Sequence, residues 1–391
     1  MRYHTNMKKN PNRNLGPLTL LGGISAETFL RDYWHKKPLL IRGAIPEFEG
    51  FLTPNELAGL SCEEDVQSRL ISYVKNKWKL EQGPFAEKRF ARLPESDWTL
   101  LVQSVNHHLQ EANDLLHHFD FIPHARLDDL MVSYAPDGGG VGPHFDSYDV
   151  FLLQGCEKRL WRISEQKDLS LLDGAPLRIL QNFKVDQEWT LSAGDMLYLP
   201  PHIAHWGIAI GDCMTYSIGF RAPSAQELAS EFLNYLQEHR TLSGMYADPD
   251  LVLQTHPAEI GSDMVKQISL ILDGLKWSNA DVAEFLGRYL SEPKSDIVFN
   301  RPKNVNLQVF AKRIKRDGLQ LSFKSQLLKS DKTYYLNGEV VNFDASSESL
   351  MMKLADFRCL SVDDLSSTSQ VSEEFLALMH DWYLAGYIIF L

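Results

Sequence analysis

The pattern of apolar and polar residues changes twice along the chain, near residue 126 and after Pro223. Before residue 126 the pattern mixes helical and strand signals. Between residues 126 and 222 short strands alternate with turns, at a spacing typical of an all-β barrel. Amphipathic helices follow, and from about residue 299 short strands and helices mix again. The pattern therefore predicts a mainly β protein with a helical segment and a small α+β module behind it.

The region before residue 126 contains several separate elements in this interpretation. Ser25 and Thr53 each precede an apolar-periodic stretch and predict the N-termini of two short helices. PLLIRG predicts a strand, and RLISYVKNKWKLEQ predicts a hairpin. The stretch WTLLVQSVNHHLQEANDLLHHF begins at Trp98 and has apolar residues at helical spacing. It predicts the clearest helix of this region.

The barrel region contains five strand-like stretches, which are RLDDLMVSYAPDGGG, DVFLLQG, KRLWRIS, EWTLSAGDMLYLPP and CMTYSIGFRAP. Alternate residues of a strand share a face. Asp129, Met131 and Ser133 therefore point the same way, as do Arg159 and Trp161. An arginine inside a barrel needs an anionic partner, because an unpaired buried charge costs too much free energy. A dicarboxylate cosubstrate would supply one through a bidentate contact, whereas the alternative for Arg159 is an exposed strand position.

Composition and cysteine spacing describe the class of protein. Of the 391 residues 44% are hydrophobic and 11% aromatic, as in a folded globular protein. No apolar run approaches the ~20 residues that cross a bilayer. The N-terminus is polar and basic, so residues 1–16 are expected to be a flexible tail without a signal peptide. The four cysteines lie far apart, which predicts reduced thiols and a cytoplasmic location.

The net charge of −12 bears on the partners of the protein. Broad binding to a phosphate backbone needs clustered lysine and arginine, so an acidic chain argues against it. An acidic surface is compatible with a basic protein partner. We therefore expect no direct contact with nucleic acid and none with a membrane.

One His-x-Asp pair, His144 and Asp146, is a candidate for metal binding. It follows a glycine-rich loop, in a stretch expected to be a strand, so both side chains would point to one face. The pattern itself is weak evidence, because about one such pair is expected by chance. A second copy, His118 and Asp120, ends a helical pattern, where residues i and i+2 diverge by about 200°. We expect a structural role for that copy and for the other histidines of its region, His107, His108, His117 and His124.

The third ligand is expected from GDMLYLPPHIAH, residues 194–205. The stretch combines a turn, a buried strand and a rigid double-proline corner, and so brings a histidine to a neighbouring strand. His205 fits the spacing from this corner better than its rival His202. Two histidines and one carboxylate on one face form the facial triad that suits non-haem Fe(II) and O2.

Three motifs resemble those of the Jumonji-C ribosomal oxygenases, namely MVSYAPDGGGVGPHFDSYDVFLLQGCEKRLWRI, GDMLYLPPHIAHWG and YSIGFRAP. The resemblance extends over nearly the whole chain and is strongest to the bacterial branch, which hydroxylates an arginine of large-subunit ribosomal protein sixteen. It implies a cupin-type double-stranded β-helix. It also implies Fe(II) as the cofactor, 2-oxoglutarate and O2 as cosubstrates, and succinate and CO2 as products.

The resemblance also assigns roles to individual residues. The iron ligands it implies are His144, Asp146 and His205. The distal carboxylate of 2-oxoglutarate would be bound by Arg159, with Ser133 alongside. The pocket for the substrate side chain would be lined by Asp129, Met131, Tyr148 and Ser217. His202 departs from the family pattern, which has small residues at this position.

The residues of the implied pocket agree with an arginine substrate. A carboxylate such as Asp129 suits a guanidinium, and an aromatic wall such as Tyr148 suits its flat face. Histidine hydroxylation and lysine demethylation are the alternatives within the family, and Asp129 favours a cationic side chain over neutral imidazole. Two alternatives of other classes are a metal cupin acting on a small molecule and a non-catalytic binding protein.

The domain organisation follows from the pattern and the resemblance together. Residues 17–222 are expected to form the catalytic domain, with its barrel core at about 126–222. Residues 223–298 are expected to be a helical dimerisation region of a homodimer; the alternative is that these helices cover the barrel of their own chain. Residues 299–391 are expected to form a winged-helix-like module, for which the acidic charge argues against DNA.

Overall fold

The computed structural model describes residues 17–366 and 371–391, so the tail expected at residues 1–16 lies outside the described residues. The described chain forms two compact units. The first comprises residues 17–222, 295–299 and 322–324, and the second comprises 223–294, 300–321 and the described part of 325–391. The division of the second unit into a dimerisation region and a C-terminal module stays a prediction. Within the described ranges, no helix has the length and apolar character needed to span a membrane.

The first unit begins with short elements whose ends are defined by local capping. These are β1 (Pro17–Leu18), β2 (Ile24–Ser25), α1 (Ala26–Asp32), β3 (Leu39–Ile41), α2 (Pro54–Leu60), β4 (Ser68–Val74) and β5 (Lys77–Gln82). The Ser25 hydroxyl caps α1, and Thr53 forms a capping box with Glu56 on α2. Lys75 and Asn76 turn the β4–β5 hairpin with positive φ angles. The structure confirms the helix starts at Ser25 and Thr53, the strand predicted from PLLIRG and the hairpin predicted from RLISYVKNKWKLEQ.

The helix predicted from Trp98 is wrong over its first half. Trp98–Val102 is a strand, β6, and helix α3 covers only Gln110–Leu116, with 3-10 turns around it. All five residues of β6 are buried. The strand pairs with β4 on one side and with β7 (Leu127–Ala135) on the other. An apolar run that is buried on both faces has no period of two, so its sequence is easily taken for a helix.

Six further strands complete the barrel, and they are β8 (Val150–Gln154), β9 (Lys158–Ser164), β10 (Gln187–Ser192), β11 (Met196–Leu199), β12 (Ala204–Ile210) and β13 (Cys213–Phe220). An eight-stranded sheet has the order β3-β11-β8-β13-β7-β6-β4-β5, and a three-stranded sheet has the order β10-β9-β12. Neighbouring strands in both sheets are antiparallel. Apolar residues of both sheets pack together, among them Leu152 and Leu197 of the large sheet and Trp161 and Leu191 of the small one.

The large sheet has one apolar face and one mixed face, so polar functional side chains can lie only on the mixed face. Along β13, Tyr216 and Ile218 belong to the main hydrophobic core, which also includes Phe29 of α1. The alternate residues Thr215 and Ser217 point to the opposite, inner face. The expected alternation along this strand is therefore confirmed, and the inner face carries the polar side chains.

The second unit contains the helices α4 (Ala225–His239), α5 (Ser262–Leu272), α6 (Asn279–Ser291), α7 (Leu307–Asp317), α8 (Glu348–Phe357), α9 (Val362–Ser366) and α10 (Glu373–Ala385). Its strands are β14 (Leu319–Leu321), β15 (Leu327–Ser330), β16 (Thr333–Leu336), β17 (Glu339–Val341), β18 (Cys359–Leu360) and β19 (Ile388–Phe390). They form two three-stranded sheets, β18-β14-β19 and β15-β16-β17. The helices expected after Pro223 and the hairpin that turns at Asn337 and Gly338 are confirmed.

Candidate active site

The three side chains predicted to bind metal converge in the first unit. One donor atom each of His144, Asp146 and His205 lies within 4.8 Å of the others. The regular strand begins only at Val150, so the His-x-Asp pair lies on the segment before the strand and not inside it. His144 nevertheless forms an isolated antiparallel bridge with His205. Residues paired in this way have neighbouring side chains on one face, which brings the two imidazoles together.

The two imidazole rings are oriented by backbone carbonyls. Nδ1 of His144 lies 2.9 Å from the carbonyl oxygen of Gly142, and Nδ1 of His205 lies 2.9 Å from that of Ile203. A carbonyl oxygen only accepts, so each Nδ1 carries the proton and donates it. Each Nε2 therefore has its lone pair available for a ligand. Nε2 of His205 lies 3.6 Å from Oδ2 of Asp146.

Burial keeps His205 in the neutral form that metal binding requires. Burial and the neighbouring His144, against the opposing effect of Asp146, together lower the pKa of His205 to about 4. His205 is therefore neutral at pH 7, as a metal-binding imidazole must be. Two imidazoles and one carboxylate form a donor set with room for further ligands, which suits non-haem iron.

His202 does not join this group. It is exposed and has a φ angle of 67°. Its backbone N–H donates to the carbonyl oxygen of Asp146 at 2.7 Å. Of the two histidines that follow the double proline, His205 lies with His144 and Asp146. His202 instead supports Asp146 through its main chain.

The second His-x-Asp copy has a different arrangement. The carboxylate of Asp120 lies 3.1 Å from Nδ1 of His117 and 2.9 Å from Nε2 of His124. His118 is not part of this trio. The carboxylate of Asp120 thus holds the two imidazoles together, and the structural role expected for this region stays a prediction.

Arg159 is inside the barrel, so an exposed strand position is excluded. Only 4% of the residue is exposed. In the part of the chain that the structure describes, its Nε and Nη2 have no hydrogen-bond partner, and neither has Nε1 of Trp161 on the same face. The Trp161 ring lies 5.9 Å from that of His205. A Cβ on Gly207 would lie 2.7 Å from the indole, so this close approach requires glycine.

The residues expected to line the substrate pocket lie on the inner face of the large sheet or beside it. Asp129 and Ser217 are 6% exposed and Ser133 is 5% exposed. Met131 is half-buried and is paired with Ser217 across β7 and β13. Tyr148 is 40% exposed. Partial burial and the charges of Asp146 and Asp129 raise its pKa. The roles of these residues stay predictions.

Two residues that the sequence did not indicate adjoin Asp129. Ser104, at a φ of 53°, donates its backbone N–H to Oδ2 of Asp129 at 2.8 Å and its hydroxyl to the same atom at 3.2 Å. A Cβ placed on Gly219 would lie 3.6 Å from Oδ1 of Asp129 and 4.0 Å from Cε2 of Tyr148. Gly219 therefore leaves a gap between the carboxylate and the ring. The motif YSIGFRAP contains Gly219 and could have indicated this residue. No local feature of the sequence indicates Ser104.

Arg69 is a third residue that sequence reasoning missed. It lies on β4 and is paired with Leu101 of β6, which is itself paired with Ser133 of β7. The register places Arg69 on the inner face together with Ser133. A strand register between distant segments cannot be obtained from one sequence.

Comparison with known proteins adds to this geometry. A JmjC domain family matches residues 114–228, and a ROXA-like winged helix family matches residues 274–388. The chain is 35% identical over 282 residues to the ribosomal protein uL16 3-hydroxylase of Escherichia coli, covering 70% of this chain and 74% of that protein. It is 42% identical over 209 residues to a probable ribosomal oxygenase of Haemophilus influenzae, covering 52% of each chain.

A solved structure matches over most of the chain. It is the E. coli ribosomal oxygenase YcfD in complex with cobalt and 2-oxoglutarate, with a TM-score of 0.81 and 31% identity. The match covers 94% of this chain and 98% of that one. The predicted fold class, a cupin-type Jumonji-C barrel with helices and a C-terminal winged-helix-like part, is confirmed by this match and by the two families.

Proposed function

The chain belongs to the JmjC-domain ribosomal oxygenases, and we propose that it is an Fe(II)- and 2-oxoglutarate-dependent hydroxylase of an arginine side chain in the large-subunit ribosomal protein uL16. The observation that carries this proposal is the set of buried donors beside the His–Asp–His group. Nε and Nη2 of Arg159 and Nε1 of Trp161 have no protein acceptor among the described residues. They suit a dicarboxylate that binds next to a metal ion.

The donor set supports iron as the metal. His144 and His205 would bind it through Nε2, because a carbonyl already holds each Nδ1. Asp146 would add one negative charge. Three protein ligands leave positions for a chelating cosubstrate and for O2, which is the arrangement of the non-haem iron oxygenases. The relative that is bound to cobalt and 2-oxoglutarate supports the same occupants.

The interior of the small sheet supports 2-oxoglutarate as the cosubstrate. A buried guanidinium without a carboxylate partner is costly, and a ligand carboxylate satisfies it through charge-assisted hydrogen bonds. Arg159 would bind the distal carboxylate of 2-oxoglutarate, with Ser133 alongside. The Trp161 ring lies 5.8 Å from the guanidinium carbon of Arg159 and 5.9 Å from the His205 ring, and its buried indole N–H, which has no partner among the described residues, would donate to the same ligand.

The division of labour between cofactor and protein follows from these positions. When bound, iron and 2-oxoglutarate supply the oxidising chemistry, in which O2 and 2-oxoglutarate give succinate and CO2 while one oxygen atom enters a C–H bond of the substrate. The chain binds the cosubstrate and orients the substrate carbon. Apolar side chains such as Leu152 and Ile163 exclude water from the barrel.

The pocket beside the site supports a cationic substrate side chain. Ser104 holds Oδ2 of Asp129, while Oδ1 lies on the side of Gly219 and Tyr148. A flat guanidinium would enter this gap, pair with the carboxylate and stack on the phenol ring. Met131 and Ser217 would complete the wall. A neutral imidazole would gain less from Asp129, which makes histidine hydroxylation the second candidate.

The charge of the chain supports a basic protein as the partner. A net charge of −12 attracts a basic ribosomal protein and repels the phosphates of nucleic acid. Hydroxylation of a ribosomal protein in bacteria takes place where ribosomes are made. We therefore place the protein in the cytoplasm, without direct binding to nucleic acid.

The exposed apolar face of α5 supports a homodimer. Val265 is 54% exposed, Ile268 is 39% exposed and Leu272 is 61% exposed. Their spacing puts them on one side of the helix. No residue of α5 is buried in the described chain. An exposed apolar stripe of this kind supports a protein interface, and a second copy of the chain is the partner that the family layout supports.

Turnover of 2-oxoglutarate tests the proposal. The purified protein, supplied with Fe(II), O2 and a uL16 peptide that contains the target arginine, should form succinate at a rate that the peptide increases. Asp146→Ala should abolish this turnover, whereas His202→Asn, which tolerates the positive φ angle, should retain it. Undiminished turnover by Asp146→Ala would contradict the proposed metal site.

A further inference from the structure

Arg69 is a half-buried arginine on the inner face of the large sheet, where the strand register aligns it with Ser133. Its terminal Nη2 lies 3.8 Å from the Sδ of Met131. Met131 lies between Asp129 and Ser133 on β7, so the Arg69 guanidinium reaches the wall of the proposed substrate pocket.

The polar atoms of Arg69 are poorly satisfied by the protein. Nε is buried and has no hydrogen-bond partner among the described residues. The contact with Met131 is weak, because a thioether is a poor acceptor. Within the described ranges Arg69 makes no ion pair with a carboxylate. Buried donors are nearly always satisfied in native proteins, so an unpaired one beside a pocket indicates a missing ligand atom.

The chemistry of the pocket narrows what this ligand atom can be. A guanidinium repels the cationic side chain that Asp129 would bind, so it is not a partner for the substrate arginine itself. In any peptide substrate, the main chain lies next to the bound side chain. A main-chain carbonyl oxygen is an acceptor and carries no positive charge.

We propose that Arg69 binds a main-chain carbonyl oxygen of the substrate peptide through Nε, beside the residue that is hydroxylated. This inference rests on the proposed function and adds to it a second point of recognition. Asp129 would select the cationic side chain, and Arg69 would fix the direction in which the peptide crosses the pocket. A free cation, which has no peptide carbonyl, would contact only Asp129.

The experiment compares Arg69→Met and Arg69→Lys with the wild-type protein. Methionine keeps the apolar stem against Met131 and removes every donor, and lysine keeps the charge without an Nε–H. Steady-state kinetics would measure KM for the uL16 peptide, KM for 2-oxoglutarate and kcat. Loss of a charge-assisted hydrogen bond predicts a rise of about 10-fold or more in the peptide KM. The KM for 2-oxoglutarate should stay within about twofold.

Arg92→Met is the matched control, because Arg92 is an exposed arginine of the same unit and makes no ion pair in the described ranges. It should leave both KM values unchanged. Thermal unfolding identifies a variant that fails to fold, and if Arg69→Met does so the Lys variant carries the test. Loss of the fold in both variants would assign Arg69 to stability and overturn the proposal.

Two other results would also overturn it. An unchanged peptide KM in a folded variant would show that Arg69 does not touch the substrate. A rise confined to the KM for 2-oxoglutarate would assign Arg69 to the cosubstrate. A wild-type protein whose 2-oxoglutarate turnover does not respond to the peptide would contradict the proposed function itself, and it would do so before any Arg69 variant is measured.

Discussion

The backbone N–H of His205 donates to the carbonyl oxygen of His144 at 2.7 Å, and the N–H of His144 donates to the carbonyl oxygen of His205 at 2.9 Å. This reciprocal pair fixes the main chains of two proposed ligands against each other. The third, Asp146, is held through its carbonyl oxygen by the N–H of His202. All three side chains therefore start from anchored backbone, so little conformational entropy is lost when a metal ion binds.

Substitution of Arg159 tests the cosubstrate site. Arg159→Gln should raise the KM for 2-oxoglutarate by about 10- to 100-fold, because a charge-assisted contact contributes about 1.5–3 kcal/mol. Arg162→Gln is the matched control, since Arg162 lies on the other face of the same strand and pairs with Glu188. The measurement is succinate formation as a function of 2-oxoglutarate concentration. An equal KM for 2-oxoglutarate in Arg159→Gln and Arg162→Gln would contradict the assignment of Arg159 to the cosubstrate site.

Substitution of Gly219 tests the gap in the substrate pocket. An alanine methyl would meet Oδ1 of Asp129 and the Tyr148 ring at ordinary contact distances, so the fold should tolerate it. The methyl would occupy the space assigned to the guanidinium. Gly219→Ala should therefore raise the peptide KM several-fold or more, without a lower Tm and without a higher KM for 2-oxoglutarate.

Gly59→Ala controls for the effect of a methyl group itself. Gly59 lies within α2, and a Cβ there meets no atom within 4 Å. Alanine is favoured over glycine inside a helix, so this variant should be as stable as the wild type or more so, with unchanged kinetics. A Gly219→Ala enzyme with the same peptide KM as Gly59→Ala would exclude the proposed gap.

The sequence predicted the parts of this protein whose signal is local. Alternation along KRLWRIS placed Arg159 and Trp161 on one face, and their burial shows that this is the inner face. Capping at Ser25 and Thr53 gave the helix starts. These signals need only the neighbours of a residue in the chain, so one sequence is enough to find them.

The parts that the sequence did not predict depend on distant pairing. Trp98–Val102 is an apolar run without a period of two, and it is a strand because β4 and β7 pair with it on either side. Arg69 is on the inner face through the same pairings. Ser104 meets Asp129 across 25 residues of chain and through a left-handed backbone conformation. Register and unusual backbone angles are set by tertiary structure, which a local pattern does not contain.

Asp281 makes the second unit sensitive to acid. The backbone N–H and hydroxyl of Ser278, together with Arg240, lower the pKa of this carboxyl to about 2. Its unfolded value is about 3.9, so its contribution to stability is complete above that pH and is lost as the pH falls toward 2. Asp281→Asn should lower Tm at pH 7, and the difference from wild type should shrink between pH 4 and pH 2.

Asp250→Asn is the control for this pH dependence, because Asp250 is an exposed aspartate of the same unit. Its Tm should follow that of the wild type at every pH. Unfolding monitored by circular dichroism across the pH range gives both curves. A constant offset between wild type and Asp281→Asn down to pH 2 would show that the side chain stabilises the unit by some means other than its charge.

A charge on the apolar face of α5 tests the proposed homodimer. Ile268→Asp would place a carboxylate in the middle of the stripe formed with Val265 and Leu272. The variant should be monomeric under conditions in which the wild type is a dimer, as measured by sedimentation. Lys266→Glu changes charge on the same helix outside this stripe and should leave the dimer intact. A wild-type protein that is monomeric at high concentration would contradict the proposal.

The most direct test of the central claim is the mass of uL16 itself, isolated from ribosomes of cells with and without the gene for this protein. Hydroxylation predicts that uL16 from cells with the gene is heavier by one oxygen atom, and that fragmentation locates the added mass on an arginine. Cells that carry only Asp146→Ala should yield the lighter form. The same uL16 mass in all three strains would contradict the claim.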